Sequence, residues 1–354
     1  MKKLILGTLA LVSASYAGAQ ESEVSLSGAA YGGLAYNFGG GSGYATAAGP
    51  SSFQVAGRES LGGGNSIIFK LQNGFYLTTG QQEDPSSFWD MQAWVGAQGP
   101  WGTLRAGRLY APAFDTYALV ADPDMGFSVI SANLITEINT VRQNNGIEYN
   151  SPGFNPWTYG HQGFYFTLAH YFGDPSAMDG TNPGPASRNT TDGGHVGYAQ
   201  GRWIVEFAAQ KQNTYTSATS NINSHLVFLA SNYRFDFATI YLAYGVASAN
   251  NRATNTGTAN SQEFLFSVKI PIGHGNLIAN YIRFNDKFNH DIAHQVGVLY
   301  DYYMSKRTKL TAGYVRIGNS NGNAYQLYNG YANTIPGQSP PRNSSVTLGI
   351  THYF

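Results

Sequence analysis

Segments of about ten residues in which apolar and polar side chains alternate recur along this chain, and a period of two marks strands with two unlike faces. Ser261 to Ile270 sets Phe264, Phe266, Val268 and Ile270 on one face and Glu263, Ser267 and Lys269 on the other. His294 to Met304 alternates Val296, Val298, Tyr300 and Tyr302 against Gln295, Gly297, Asp301 and Tyr303. The end of the chain, Val346 to Phe354, alternates again and stops on an aromatic ring.

Connections of two kinds separate these runs. Gly62-Gly63-Gly64-Asn65, Gly99-Pro100-Trp101-Gly102, Gln200-Gly201-Arg202 and Ser305-Lys306-Arg307 are short, whereas roughly 37–50, 109–141, 174–193, 212–223, 249–260 and 319–342 are long and rich in Gly, Asn, Thr, Ser and Pro. Strands laid between them number sixteen, beginning 23–36, 51–61, 65–79 and 87–98 and ending 291–304, 308–318 and 344–354. Short turns on one side, long loops on the other and an even count predict an all-β fold, a transmembrane antiparallel β-barrel. A barrel of this width cannot fill its lumen with side chains and leaves an aqueous channel.

Composition agrees with a broad lipid-facing belt. Only 11% of residues are charged, against about 25% in ordinary soluble domains, while 43 Gly, 25 Tyr and 20 Phe are present and Cys is absent. Tyr36, Phe38, Phe75, Tyr76, Tyr165, Tyr171, Tyr233, Phe235, Tyr302 and Tyr303 sit near strand ends and are expected in two interfacial girdles. After Gln20 no apolar run reaches 18 residues, so membrane-spanning helices are excluded and a closed barrel is the remaining way to pair every backbone group in hydrocarbon. Met1-Lys2-Lys3, the apolar run Leu4 to Val12 and Ala17-Gly18-Ala19 predict a signal peptide over 1–19 and a mature barrel over 20–354. Loss of Lys2 and Lys3 turns 20 basic and 20 acidic residues into 18 against 20, a formal −2. No basic stripe suggests a nucleic-acid partner.

Several motifs, in order along nearly the whole mature chain, resemble the trimeric porins of Neisseria and betaproteobacteria. Ser52 to Gly64 resembles that family's second strand and glycine turn, with Ser60 in place of its usual Asp; Gly102 to Arg108 is similar to its fifth strand. Arg142 to Pro152 looks like the strand leaving the constriction loop, and Met304-Ser305-Lys306-Arg307-Thr308 like a family turn. Phe354 is similar to the C-terminal signal read by the outer-membrane assembly machinery. The resemblance implies a homotrimer in the Gram-negative outer membrane, among lipid and lipopolysaccharide, passing small solutes and ions through water-filled pores. It also implies a third outer loop folded into the lumen, with its acids facing basic residues of the wall.

The longest connection, 109–141, carries Asp115, Asp122, Asp124 and Glu137 with no Lys or Arg, and its Ile130 to Ile138 stretch is expected to form a short helix. Parity places Arg58, Lys70, Arg105, Arg142 and Glu148 on the lumen face; Arg108, beside the loop, completes the expected wall. A charge at mid-membrane on the lipid face costs about 2–4 kcal/mol. Against the resemblance, Met91 and Glu148 stand where neisserial members carry basic residues. Weak ion selectivity is therefore expected, with passive diffusion as the function.

Competing functions find less support. None of the eight His forms an H-E-x-x-H pair, no G-x-S-x-G elbow occurs, and Gly39 to Gly43 lacks a phosphate cradle's Lys, so neither an enzyme nor a cofactor or metal site is expected. The three Asp between Asp174 and Asp192 are not spaced as a calcium loop. Inward Tyr31 and Tyr303 hint at a channel specific for sugars or small organic acids. A closed structural or adhesive barrel is the remaining alternative.

Overall fold

A computed structural model describes residues 22–38, 42–46, 51–126, 128–131, 141–156, 158–173, 189–217, 219–320, 325, 327 and 344–354. The expected signal peptide, the helix after Ile130, Glu137 and most of loops 174–193 and 319–342 lie outside these residues.

Sixteen strands follow one another in antiparallel order around a closed sheet. They are Ser22–Asn37, Ser51–Gly62, Asn65–Phe75, Gln92–Gly99, Gly102–Tyr110, Arg142–Asn150, Gly163–Tyr171, Thr191–Gln200, Trp203–Ser217, Ser220–Arg234, Thr239–Asn251, Thr256–Ile272, Gly275–Asp286, Asp291–Ser305, Thr308–Asn319 and Ser344–Tyr353. The first strand closes the ring. Its Ser22–Ala29 half pairs with the second strand and its Ala29–Asn37 half with the last. Its remaining upper edge is covered by a short strand, Ser42–Thr46. Phe354 and Gly28 exchange two backbone hydrogen bonds of 3.0 Å, so the chain end is zipped into the first strand and no edge stays open.

Alternation along each strand separates a lipid face from a lumen face. Leu34, Val95, Leu104, Ile147, Leu168, Phe264, Val298 and Leu348 are exposed on the outside, which in a membrane is the apolar band. Short turns gather at the end where the chain starts, as at Gly62, Gly63 and Gly64, whose φ values of 79°, 59° and 78° suit residues without a Cβ.

Three departures from the sequence reading have physical reasons. The third strand ends at Phe75 and the fourth begins only at Gln92, because Glu83, Asp84 and Asp90 occupy a real outer loop between them. Conversely, the ladders continue through 212–223 and 249–260 to tight turns at Ser217–Ser220 and Asn251–Thr256. These hairpins are polar on both faces, so alternation could not announce them. Finally, Tyr165 and Tyr171 belong to no girdle: both face inward and are buried, lying over Gly197 and Gly146. Tyr165 donates to Glu206 and Tyr171 to the Tyr110 carbonyl.

Candidate functional site

The connection after Tyr110 turns into the barrel instead of outward. Its ends are pinned where the Ala111 N–H donates to the Val141 carbonyl at 3.0 Å. Pro112 opens a helical turn, Pro112–Thr116, followed by a π-helical turn, Tyr117–Ala121. The missing N–H of proline costs nothing at a helix start.

An apolar interface seats this segment on the inner wall. Phe114, Tyr117, Ala118, Val120, Ala121, Val129 and Ile130 form one buried cluster with Ala208, Leu226, Phe228, Ala230, Ala243, Leu265, Ile278, Leu299 and Val315. The wall makes room with small residues. A Cβ on Gly297 would stand 2.6 Å from the Ile130 Cβ, and one on Gly313 2.8 Å from Val129. Such burial is worth about 1.5–3 kcal/mol per large apolar side chain, an upper bound set by the unfolded reference.

Polar anchors fix its height. Thr116 Oγ1 donates to Glu206, which lies 2.8 Å from His195 Nδ1. Asp122 accepts from the Tyr117 hydroxyl and the Asp124 N–H, each at 2.8 Å. Burial raises the Asp122 carboxyl, opposed by those donors. The tip, Pro123 to Met125, comes to rest on two lysines: Lys269 Nζ donates to the Pro123 carbonyl at 3.0 Å, and Lys309 Nζ lies 3.4 Å from Asp124 and 2.8 Å from Asp301.

Among the described residues, open space lies between this tip and the first three strands. One cavity of about 540 Å³ is lined by Ser27, Tyr31, Gln54, Gln72, Asp124 and Lys269. A second, of about 270 Å³, shares Gln54, Gln72, Tyr110 and Met125 with it and extends to Lys70, Asp115 and Tyr159. The wall here is an amide ladder. Ser27 stands opposite Gln54, Gln54 opposite Gln72, and Gln72 opposite Gln92 across four strands. Gln54 donates to Ser27, and Gln92 to Gln72 at 2.8 Å. Lys70 lies in the next inward row, its ammonium 5.0 Å from the Tyr159 ring.

Tyr159 belongs to the turn between the sixth and seventh strands, whose small hairpin, Phe154–Asn155 with Gly160–His161, reaches up beneath the constriction. Tyr159 and Leu119 of the inner loop both pack against the buried cluster of Phe154, Tyr165 and Ala199.

The structure distributes the expected site residues unequally. Arg58 faces inward near its turn and donates to Ser66 at 3.2 Å. Lys70 and Asp124 reach the cavity. Arg105 and Glu148 are inward yet 1% and 0% exposed, paired with each other beneath the loop. They therefore do not line open lumen. Asp115 is buried close above them, and burial, with Glu148 adding repulsion, pushes its carboxyl up to about 7. Arg142 stands at the outer mouth, 3.4 Å from Glu83 and against the Tyr110 ring. Arg108 is corrected: it pairs opposite Ala93, on the outward face with Val95 and Ala106, and bonds the Asp90 carbonyl and Asn144. A bulge at Gly107–Leu109 lets Leu109 turn inward instead. Phe354 is outward and exposed beside Gly28. Sequence reasoning missed Lys269, Lys309, Asp301, His195 and Glu206, which become a site only where the inner loop touches them.

A closed sixteen-strand barrel whose lumen is narrowed by its own third outer loop defines a diffusion channel of the Gram-negative outer membrane. The family model described as Gram-negative porin matches residues 7–322, and the chain belongs to that family. It is 24% identical over its whole length to Outer membrane porin protein 32 of Delftia acidovorans, also covered whole. It is 23% identical to an outer membrane porin protein of Bordetella pertussis, over 86% of this chain and 82% of that one. Among solved structures, the anion-selective porin from Comamonas acidovorans superposes with a TM-score of 0.76 at 24% identity, covering 94% of this chain and all of that one. The trimer form of OmpT from Vibrio cholerae gives 0.69 at 11%, covering 94% and 99%. The chain is thus an outer-membrane porin, a channel through which small hydrophilic solutes and ions diffuse.

Proposed function

We propose that this porin is weakly ion-selective, with a slight preference for anions. The observation that carries the reading is the pairing of the loop tip: Asp124 and Asp301 share Lys309, while Lys269 and Lys70 face the same passage. Three ammonium groups stand against two carboxylates and Asp115, whose carboxyl is pushed up to about 7, so only part of one positive charge remains beside a wall of neutral amides. Selectivity of a wide pore follows such a charge ring. The anion-selective porin from Comamonas acidovorans, similar in fold at 24% identity, agrees in sign.

Several finer assignments belong to the same proposal. Residues 1–19 are a cleaved signal peptide, 20–354 the barrel and 109–141 the constriction loop. Arg58, Lys70, Asp115 and Asp124 are the pore-lining charges retained from the sequence reading, joined by Lys269. The protein works as a homotrimer, in line with the trimer form of OmpT, among lipopolysaccharide, and reaches the membrane through recognition of Phe354 by the assembly machinery. No catalytic step is part of this function.

Reversal potentials in a salt gradient across a planar bilayer test it. A chloride-to-potassium permeability ratio a few-fold above one is expected; a strongly anion-selective or a cation-selective pore would overturn it.

A further inference from the structure

Above the docked loop, on the outer side, the inner wall carries a hollow that the constriction does not use. Its cavity volume is about 330 Å³, at the low end of the range of about 300–1,000 Å³ for small-molecule sites. The register explains the hollow. Gln210, Leu226, Ala247, Ser261 and Asp286 form one continuous row across five neighbouring strands. Small side chains at Ala247 and Ser261 sink the middle of that row between Gln210 on one flank and the inward ring of Phe284 on the other.

The lining chemistry is selective. Gln210 is 6% exposed, and its Oε1 is buried without a hydrogen-bond partner among the described residues. Leaving a buried acceptor unpaired costs about 1–3 kcal/mol, so a donor brought by a solute would be gained nearly in full. The lining contains no Lys or Arg, and the Nε2 of its one imidazole, His225, is engaged by the Asn223 side chain at 2.8 Å, so an anion finds no fixed counter-charge. Its one carboxylate, Asp286, is turned to its own loop, accepting from the Phe288 and Asn289 N–H groups, the Asn289 amide and the Tyr325 hydroxyl. A cation therefore finds that charge engaged. The floor is apolar at Leu226, Ala247 and Phe284. Amides and hydroxyls around an apolar floor match a molecule with hydroxyls at its edge and C–H groups on its face.

We infer that this vestibule hollow is a weak binding site for a neutral polyhydroxylated solute, a mono- or disaccharide, which loads the pore from outside. The inference rests on the chain being an open channel.

Maltose added to the outer side of single channels in symmetric KCl tests it. A saturable loss of conductance with added current noise is expected, weakened about tenfold in Gln210→Leu, an energy of about 1.4 kcal/mol, and also in Ser261→Val, which fills the hollow. Potassium gluconate at equal concentration should block less. Conductance that falls only with solution viscosity, or a saturable block that both variants leave intact, overturns the site while the channel function stands. Equal block by gluconate overturns the neutral class. Absence of any KCl conductance in the wild-type protein would overturn both the site and the channel.

Discussion

Lys309 and Asp124, 185 residues apart in the chain, meet at 3.4 Å and tie the tip of the inner loop to the fifteenth strand. Lys309 also holds Asp301 at 2.8 Å, so two carboxylates share one ammonium at the narrow part of the lumen.

Replacing that lysine should therefore cancel the positive excess of the passage. In Lys309→Met two carboxylates remain against Lys269 and Lys70, and a shift of the reversal potential toward cation preference is expected. Asp124→Asn should shift it toward anions. Asp122→Asn should change it much less, because Asp122 is spent on Tyr117 and the Asp124 N–H. Equal effects of the two Asp variants would contradict this division of roles.

The same acid makes selectivity depend on pH. Burial raises the Asp124 carboxyl, to about 6, with Lys309 opposing. Above that value it is an anion beside the passage. As pH falls through it that negative charge disappears, so anion preference should grow between pH 8 and pH 5. The measurement is reversal potential against pH, and Asp124→Asn should reduce its slope, leaving the part that Asp115, raised to about 7 in the adjoining cavity, contributes.

Arg105 and Glu148 offer a stability test independent of conduction. Both are buried and paired beneath the loop. Removing one partner strands a buried charge and costs about 3–5 kcal/mol, whereas replacing both by apolar residues of similar volume is often neutral. Arg105→Met should lower the denaturant midpoint of the detergent-solubilised protein clearly, and the double variant with Glu148→Met should recover most of the loss.

Gly297 tests how the loop is seated. Because its missing Cβ leaves room for Ile130, Gly297→Val should push the loop off the fourteenth strand. Larger and noisier single-channel conductance is expected with the barrel intact by circular dichroism. Unchanged conductance would mean that the loop's position there does not control the opening.

Much of the fold was legible because its cause is local. Alternation such as Phe264, Phe266 and Val268 against Glu263 and Ser267 lies within one strand, and the membrane supplies the second face without any partner segment. Parity likewise assigned Lys70, Arg105 and Glu148 to the lumen side. It also held the answer for Tyr165 and Tyr171, since Phe164 and Leu168 claim the outer face, but position near a strand end argued for a girdle. Two glycines on neighbouring strands settle the matter by admitting the rings.

The candidate site was legible only in part, because depth and partnership are not local. Nothing near Arg105 in sequence tells that the turn Pro112–Thr116 will cover it, and Lys269 is 146 residues from the carbonyl it holds. The expected picture of an acidic loop facing a basic wall gave way to a loop whose acid is answered by the lysines on which it rests. Across the passage stands the row Ser27, Gln54, Gln72 and Gln92, visible only once the register of four strands is known.

By itself the sequence determined a closed barrel with two unlike faces, since hydrocarbon tolerates no unpaired backbone and the period of two records which side each residue takes. Only the tertiary structure decided which inward charges meet water, which pair out of its reach, and where the opening lies. Those outcomes depend on one loop packing against seven distant strands, where contact and burial set the energy of every charge.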